Sequence, residues 1–236
     1  MKKAMLITSE QGIGIHLAQI AHRFSIQSNR YIVSERKAGP ANFADAYDYF
    51  ADRNHYVYDE RANQRIDYLI WSTGVFLHKP FADHTDFELD AMIDLHYRLP
   101  LKIIRTLHRH QCAPYHFIMI ASCSSWRLRQ HEAVYCGLCA AKAAFARNFA
   151  NDLTQTLPGS KVTLMNPGGS KPNFFYEKDQ IITDNYLNQN DLAQFIWQTV
   201  TTQHKPFLEV QYLRDKSSIP KHEPIISYQT SCPETL

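Results

Sequence analysis

The sequence predicts an α/β protein: one doubly wound domain, with a seven-stranded parallel sheet flanked by helices. Three observations predict it. Short apolar runs alternate along the chain with segments whose apolar residues recur at helical spacing, the pattern of strand–helix–strand units. The runs are too short for helices and read as strands buried on both faces, as in a parallel sheet. No internal repeat or low-complexity linker divides the 236 residues, a length that fits one large core.

Lys3–Thr8 is the first strand candidate. From Gly12 the period changes: Ile13, Leu17, Ile20, Ala21 and Phe24 share one helix face, so a helix runs to about Ser25. Tyr31–Val33 is a second strand, Ala41–Ala51 a short weak helix, His55–Tyr58 a third strand and Tyr68–Trp71 a fourth. A long helix covers about Asp86–His110, with Thr85 as its N-cap and Pro100 bending or loosening it. His116–Ala121 is the fifth strand. A second long helix, Tyr135–Leu157, carries a stripe of alanines and stops at Pro158–Gly159. Lys161–Met165 is the sixth strand, Asn190–Gln203 a helix and Phe207–Leu213 the seventh strand. The domain therefore spans residues 1–214. Residues 215–236 are polar with three prolines and read as a tail without a core of its own.

Composition narrows the function. A net charge of +2 gives no electrostatic footprint for nucleic acid or an anionic membrane. The longest apolar runs are about five residues, against roughly 20 for a membrane helix. Five cysteines, an odd number, with no secretory leader pattern read as reduced thiols in the cytoplasm. Cys136 and Cys139 lie one helical turn apart, but no second pair completes a metal site, so no metal is expected. Only 8 glycines occur, where average usage of about 7% would give roughly 16.

The turn Thr8-Ser9-Glu10-Gln11-Gly12-Ile13-Gly14 joins the first strand to the first helix. A helix N-terminus there presents free N–H groups and a positive dipole end, and glycines let a pyrophosphate approach the backbone. On this motif alone, a phosphate cradle and a plain helix start are equally good readings.

Six stretches in order resemble the short-chain dehydrogenase/reductases, over about residues 3–213. Thr8–Gly14 resembles that family's cofactor loop, with Thr8, Ser9, Gly12, Ile13 and Gly14 at its positions. Asp59 matches the acidic residue at the adenine, and Gly74 the end of the motif after the fourth strand. His96 falls where the family's long helix carries an active-site asparagine. Ser122 precedes Tyr135 by the family's spacing, and Pro167-Gly168 resembles the turn over the nicotinamide. The resemblance implies a Rossmann-type fold and an NAD(P)-dependent oxidoreductase acting on a small carbonyl or alcohol. It also implies a homodimer or homotetramer built on the two long helices. Glu35 and Arg36-Lys37 follow the second strand and pull in opposite directions on the adenosine ribose. Two adjacent cations tilt the choice from NAD to NADP, with Arg36 as the contact.

The departures bear on activity. The cofactor loop is one residue short, and Ser9 stands near its first glycine. Cys139 occupies the lysine position of the family's Tyr-x-x-x-Lys motif. An ordinary tyrosine titrates near ~10, and a neutral thiol gives none of the cationic help that would bring it toward neutrality. Lys142 lies seven residues beyond Tyr135, nearly on the same helix face. It reads first as a helix-surface or interface lysine and second as a displaced substitute. His96 reads first as a polar group holding the bend near Pro100 and second as a proton relay or charge. Phe174-Phe175-Tyr176, just after the Pro-Gly turn, suggest an apolar substrate or a self-closing loop. The alternative reading is a member that has lost hydride chemistry and serves as a nucleotide-binding sensor or a scaffold for protein interaction.

Overall fold

Strand β1, Lys2–Ser9, alternates its side chains between two apolar layers. Met5 and Ile7 face one layer, Ala4 and Leu6 the other, and all four are buried. The computed structural model describes residues 1–9, 12–34, 65–170, 186–214 and 224–229, with backbone only for 31–34. Helix α1, Ile13–Ile20, continues as a 3-10 turn, Ala21–Phe24, and ends at Ser25 with φ 58°. Strand β2 is Ile26–Ser34 and pairs parallel with β1. It starts five residues before the sequence suggested. Gln27-Ser28-Asn29-Arg30 is polar because those residues of the strand are not fully covered.

Strand β3, Tyr68–Trp71, is buried throughout. The long helix is in three parts: α2, Asp86–Ile93; a π-helical turn, Asp94–Arg98; and α3, Leu99–Arg109. Thr85 caps α2 in a full capping box with Glu88. Pro100 loosens the rod as expected, and the register explains how. In the π turn the Leu99 amide bonds Asp94 O rather than Leu95 O. Pro100 has no N–H to take its place. The Leu95 carbonyl is thereby released, and Thr73 Oγ1 donates to it at 2.9 Å.

Strand β4 is His116–Ile120, α4 is Ala133–Thr156 and β5 is Lys161–Pro167. Helix α5, Gln189–Thr202, is capped by Asn188, and β6 is Phe207–Leu213. In the alanine stripe of α4, Ala143, Ala146 and Ala150 are buried against the sheet, so the small residues allow close helix–sheet packing. One layer holds α2, α3 and α4 residues such as Met92, Leu107 and Leu153. The other holds α1 and α5 residues such as Leu17, Ile196 and Trp197. Each such side chain contributes about 1.5–3 kcal/mol by leaving water.

With β7 at Ile225–Gln229, the described residues form a sheet of seven strands in the order β2-β1-β3-β4-β5-β6-β7. Six are parallel. The seventh, β7, pairs antiparallel with β6. The sheet is thus mostly rather than wholly parallel, and residues 225–229, read from the sequence as tail, form its outer edge. The helix expected at 41–51 and the strand expected at 55–58 lie outside the described residues. Among the described residues no helix is long and apolar enough to cross a membrane. None of their His, Cys, Asp and Glu side chains form a group of three or more able to hold a metal.

Candidate active site

The strand order turns back at β1, where β2 lies on one side and β3 on the other, and a crevice opens there at the carboxyl ends of the strands. A cavity of about 430 Å³ fills it. One end is walled by Ser9, Gly12 and Ile13, the other by Ser122 and Tyr135, with Pro167 and Gly168 along the side. Gly12 begins α1 with φ 87°, and among the described residues no side chain caps that helix. Its first amides are therefore left for a ligand, and the cavity reaches them. These residues fit a dinucleotide's pyrophosphate and nicotinamide end.

Two of the expected loop residues sit behind the wall. Thr8 is fully buried and its hydroxyl donates to Ser9 O at 3.0 Å, so it does not line the cavity. Gly14 packs beneath it: a Cβ there would lie 1.8 Å from Thr8 Oγ1 and 2.6 Å from Ser72 Oγ. Both shape the turn rather than touch what binds in it. Arg36, Asp59, the choice between Glu35 and Arg36-Lys37, and Phe174-Phe175-Tyr176 lie outside the described residues.

Ser122 and Tyr135 meet. Ser122 ends the segment after β4, where its Oγ accepts from the Ser124 amide at 3.1 Å. Tyr135 is on the first turn of α4, and its hydroxyl is hydrogen-bonded to Ser122 and to Cys139. Its ring is held edge-on between Phe76, with centroids 4.9 Å apart, and His96, at 5.5 Å. Burial pushes the phenol well above its ordinary pKa and Cys139 adds to this, while the hydrogen bond with Ser122 pulls it down. Tyr135 is therefore a neutral acid in this state.

Tyr135, Cys139 and Lys142 fall at i, i+4 and i+7, one face of α4, and all three line the cavity. Burial pushes the Cys139 thiol up to about 12, so it is a neutral group. Lys142 corrects the sequence reading. It is no surface lysine: it is 3% exposed, and its ammonium donates to Thr73 O at 2.9 Å and lies 5.6 Å from the centre of the Trp71 ring. Burial lowers its pKa to about 8. The helix repeat that carries Tyr135 inward carries Lys142 inward too, and the end of β3 supplies its partner.

His96 lies in the π turn and is buried. Its Nε2 is 2.8 Å from the Val75 amide nitrogen and 2.5 Å from the Val75 carbonyl oxygen; a neutral ring serves one of these at a time. Burial and the neighbouring Lys142 hold its pKa to about 3. His96 therefore brings no positive charge to the site near neutral pH, and the reading of it as a charge carrier falls. Its role here is to pin the segment after β3. Gly74 makes room for it: a Cβ there would meet His96 Cε1 at 2.4 Å and Nδ1 at 2.8 Å. Gly74→Ala is expected to lose about 1–3 kcal/mol of stability in urea unfolding, because a buried ring cannot swing aside.

Sequence reasoning missed Thr73, Val75, Arg129, Glu132 and Arg214, all of which line the cavity. Arg129 and Glu132 had a signal, since they lie in the interval between Ser122 and Tyr135 that the motif spacing itself measures.

Comparison with solved structures agrees with this geometry. A dehydrogenase/reductase from Sinorhizobium meliloti 1021 superposes with TM-score 0.63 at 18% identity, covering 90% of this chain and 93% of that one. A 4-hydroxyisoleucine dehydrogenase complexed with NADH gives 0.66 at 15% identity, with 90% and 96% covered. An alcohol dehydrogenase from the archaeon Thermococcus sibiricus, complexed with 5-hydroxy-NADP, gives 0.64 at 16%, with 94% and 100% covered. No family model matches the sequence, and no curated protein matches it. The chain has the fold of the short-chain dehydrogenase/reductases.

Proposed function

We propose that this protein is an NAD(P)-dependent oxidoreductase acting on a small carbonyl or alcohol. The observation that carries the reading is the hydrogen-bonded Ser122–Tyr135 pair on the wall of a cavity that reaches the uncapped start of α1. A bound reduced nicotinamide would supply a hydride. The chain's own residues do the rest. Ser122 holds and polarises the carbonyl oxygen. Tyr135 gives it a proton. Lys142 sets the end of β3 through Thr73 O and offers a cation to the ribose side of the cavity. Pro167 and Gly168 close the flank. With its pKa raised, the phenol stays protonated near neutral pH, the form carbonyl reduction needs, but it is a weaker donor than an ordinary tyrosine.

NADP is proposed over NAD, on Arg36-Lys37. The solved structures of this fold are mixed, one holding NADH and another a modified NADP. Titration calorimetry with both dinucleotides tests the reading; binding of NADPH at least tenfold tighter than NADH is expected. Absence of binding by either at millimolar concentration would favour a scaffold that has lost hydride chemistry. Cys139 at the lysine position is the observation on that side. The cytoplasm is the proposed compartment. A homodimer or homotetramer is the proposed assembly, supported by Phe87 and Ile93 exposed on α2, and is checked by light scattering.

A further inference from the structure

Arg129 stands apart from the proton-transfer groups. It lies in the segment between the 3-10 turn Cys123–Ser125 and α4, and it lines the cavity that Ser122 and Tyr135 line. An arginine is charged at every relevant pH and offers five donors in a fork. Here that fork is nearly unused. Among the described residues its Nε is buried without a hydrogen-bond partner, and Nη2 has only the Cys123 sulfur at 3.8 Å, a weak acceptor. Glu132 is near enough to be influenced by Arg129, yet the two form no ion pair among the described residues; Glu132 is hydrogen-bonded to Ser124 instead.

The other cations of the cavity are engaged. Lys142 donates to Thr73 O, and the Arg214 guanidinium lies 4.6 Å from the centre of the Tyr186 ring. Among the described residues the lining thus carries Arg129, Lys142 and Arg214 against a single carboxylate, Glu132. A partly desolvated guanidinium without an acceptor is unfavourable until an oxyanion completes it, and a carboxylate matches its fork with two parallel bonds.

We infer that Arg129 anchors a carboxylate on the substrate, so that the compound reduced at Ser122 and Tyr135 is a short oxo acid. Cys123, which Arg129 touches, is the residue after Ser122, and Arg129, Ser122 and Tyr135 line one cavity, so one ligand can meet all three. The inference rests on the oxidoreductase reading for the reaction but not for the binding. In the reaction the carbonyl carbon takes a hydride from a reduced nicotinamide dinucleotide, which is oxidised. The carbonyl oxygen takes the Tyr135 proton, giving a hydroxy acid, and the carboxylate is unchanged.

The test uses 2- and 3-oxo acids of three to eight carbons and their methyl esters, added to the full chain with saturating NADPH or NADH. Binding is read by calorimetry and turnover by cofactor absorbance. At least one acid is expected to bind, and to bind tenfold or more better than its ester. Arg129→Met should remove that preference, and Arg129→Lys should restore part of it. Dinucleotide affinity and melting temperature should remain those of the wild type in both variants. Equal binding of acid and ester, or no binding of any acid, overturns the inference. So does loss of dinucleotide affinity in Arg129→Met, since the anion served would then be the cofactor's phosphate. An acid that binds through Arg129 and is not reduced leaves the inference standing and defeats the oxidoreductase reading instead.

Discussion

Replacing Lys142 with methionine is expected to make the protein more stable while stopping turnover. The ammonium is buried, with Thr73 O as its one hydrogen-bond partner among the described residues and the Trp71 ring beside it. Its pKa falls from 10.5 to about 8, which corresponds to roughly 3 kcal/mol against the charged form. Loss of the Thr73 bond returns about 1 kcal/mol of that, so a net gain of about 1–3 kcal/mol is expected in urea unfolding at pH 7. The pH dependence has a definite sign. Below pH 8 the lysine is protonated in both the folded and the unfolded chain, and the cost is present in full. Between about 8 and 10.5 the folded chain gives up a proton that the unfolded chain keeps, so wild-type stability rises with pH. That rise should be absent in Lys142→Met. Turnover should fall by at least tenfold, because the cavity loses its buried cation and the tether on Thr73. A variant that is both less stable and fully active would show that Lys142 serves packing alone.

Tyr135→Phe is expected to lower kcat by ~10²–10⁴, the usual weight of a positioned acid. The ring contacts with Phe76 and His96 need no hydroxyl, so unfolding should stay within about 1 kcal/mol of the wild type and dinucleotide affinity should hold. In the wild type the raised phenol pKa keeps the acid protonated, so carbonyl reduction should hold level from pH 6 to about 8. Any decline above that follows Lys142, and it should vanish from the residual rate of Lys142→Met. A rate unaffected by Tyr135→Phe would transfer the proton-donor role to another group.

Much of this was legible in the sequence because it depends on period. The alternation of Ala4, Met5, Leu6 and Ile7 across β1, the Thr85 cap and the disturbance at Pro100 all follow from local rules, and the structure follows them. The Ser122–Tyr135 pair was legible as a spacing. Its surroundings were not, because they depend on which segments meet in space. Lys142 looked like a surface residue until the end of β3 supplied a carbonyl for it. His96 looked able to carry charge until its burial was known. Arg129 and Glu132 have no periodic signature in an irregular segment. Strand β7 was missed for another reason: Ile225-Ile226-Ser227-Tyr228-Gln229 is exposed along its whole length, so no buried face marks it in the sequence.

That strand also changes what the sheet offers to other molecules. Without it, the open flank of β6 would present a ladder of unsatisfied backbone donors and acceptors, a template for any extended segment. Residues 225–229 occupy that ladder in antiparallel register, from Glu209 opposite Gln229 to Leu213 opposite Ile225. The vulnerability is passed outward rather than abolished. The outermost backbone is now a five-residue strand bearing Ile225, Ile226 and Tyr228 in the open, short enough to offer little purchase for a long intruder and apolar enough to welcome a matching one.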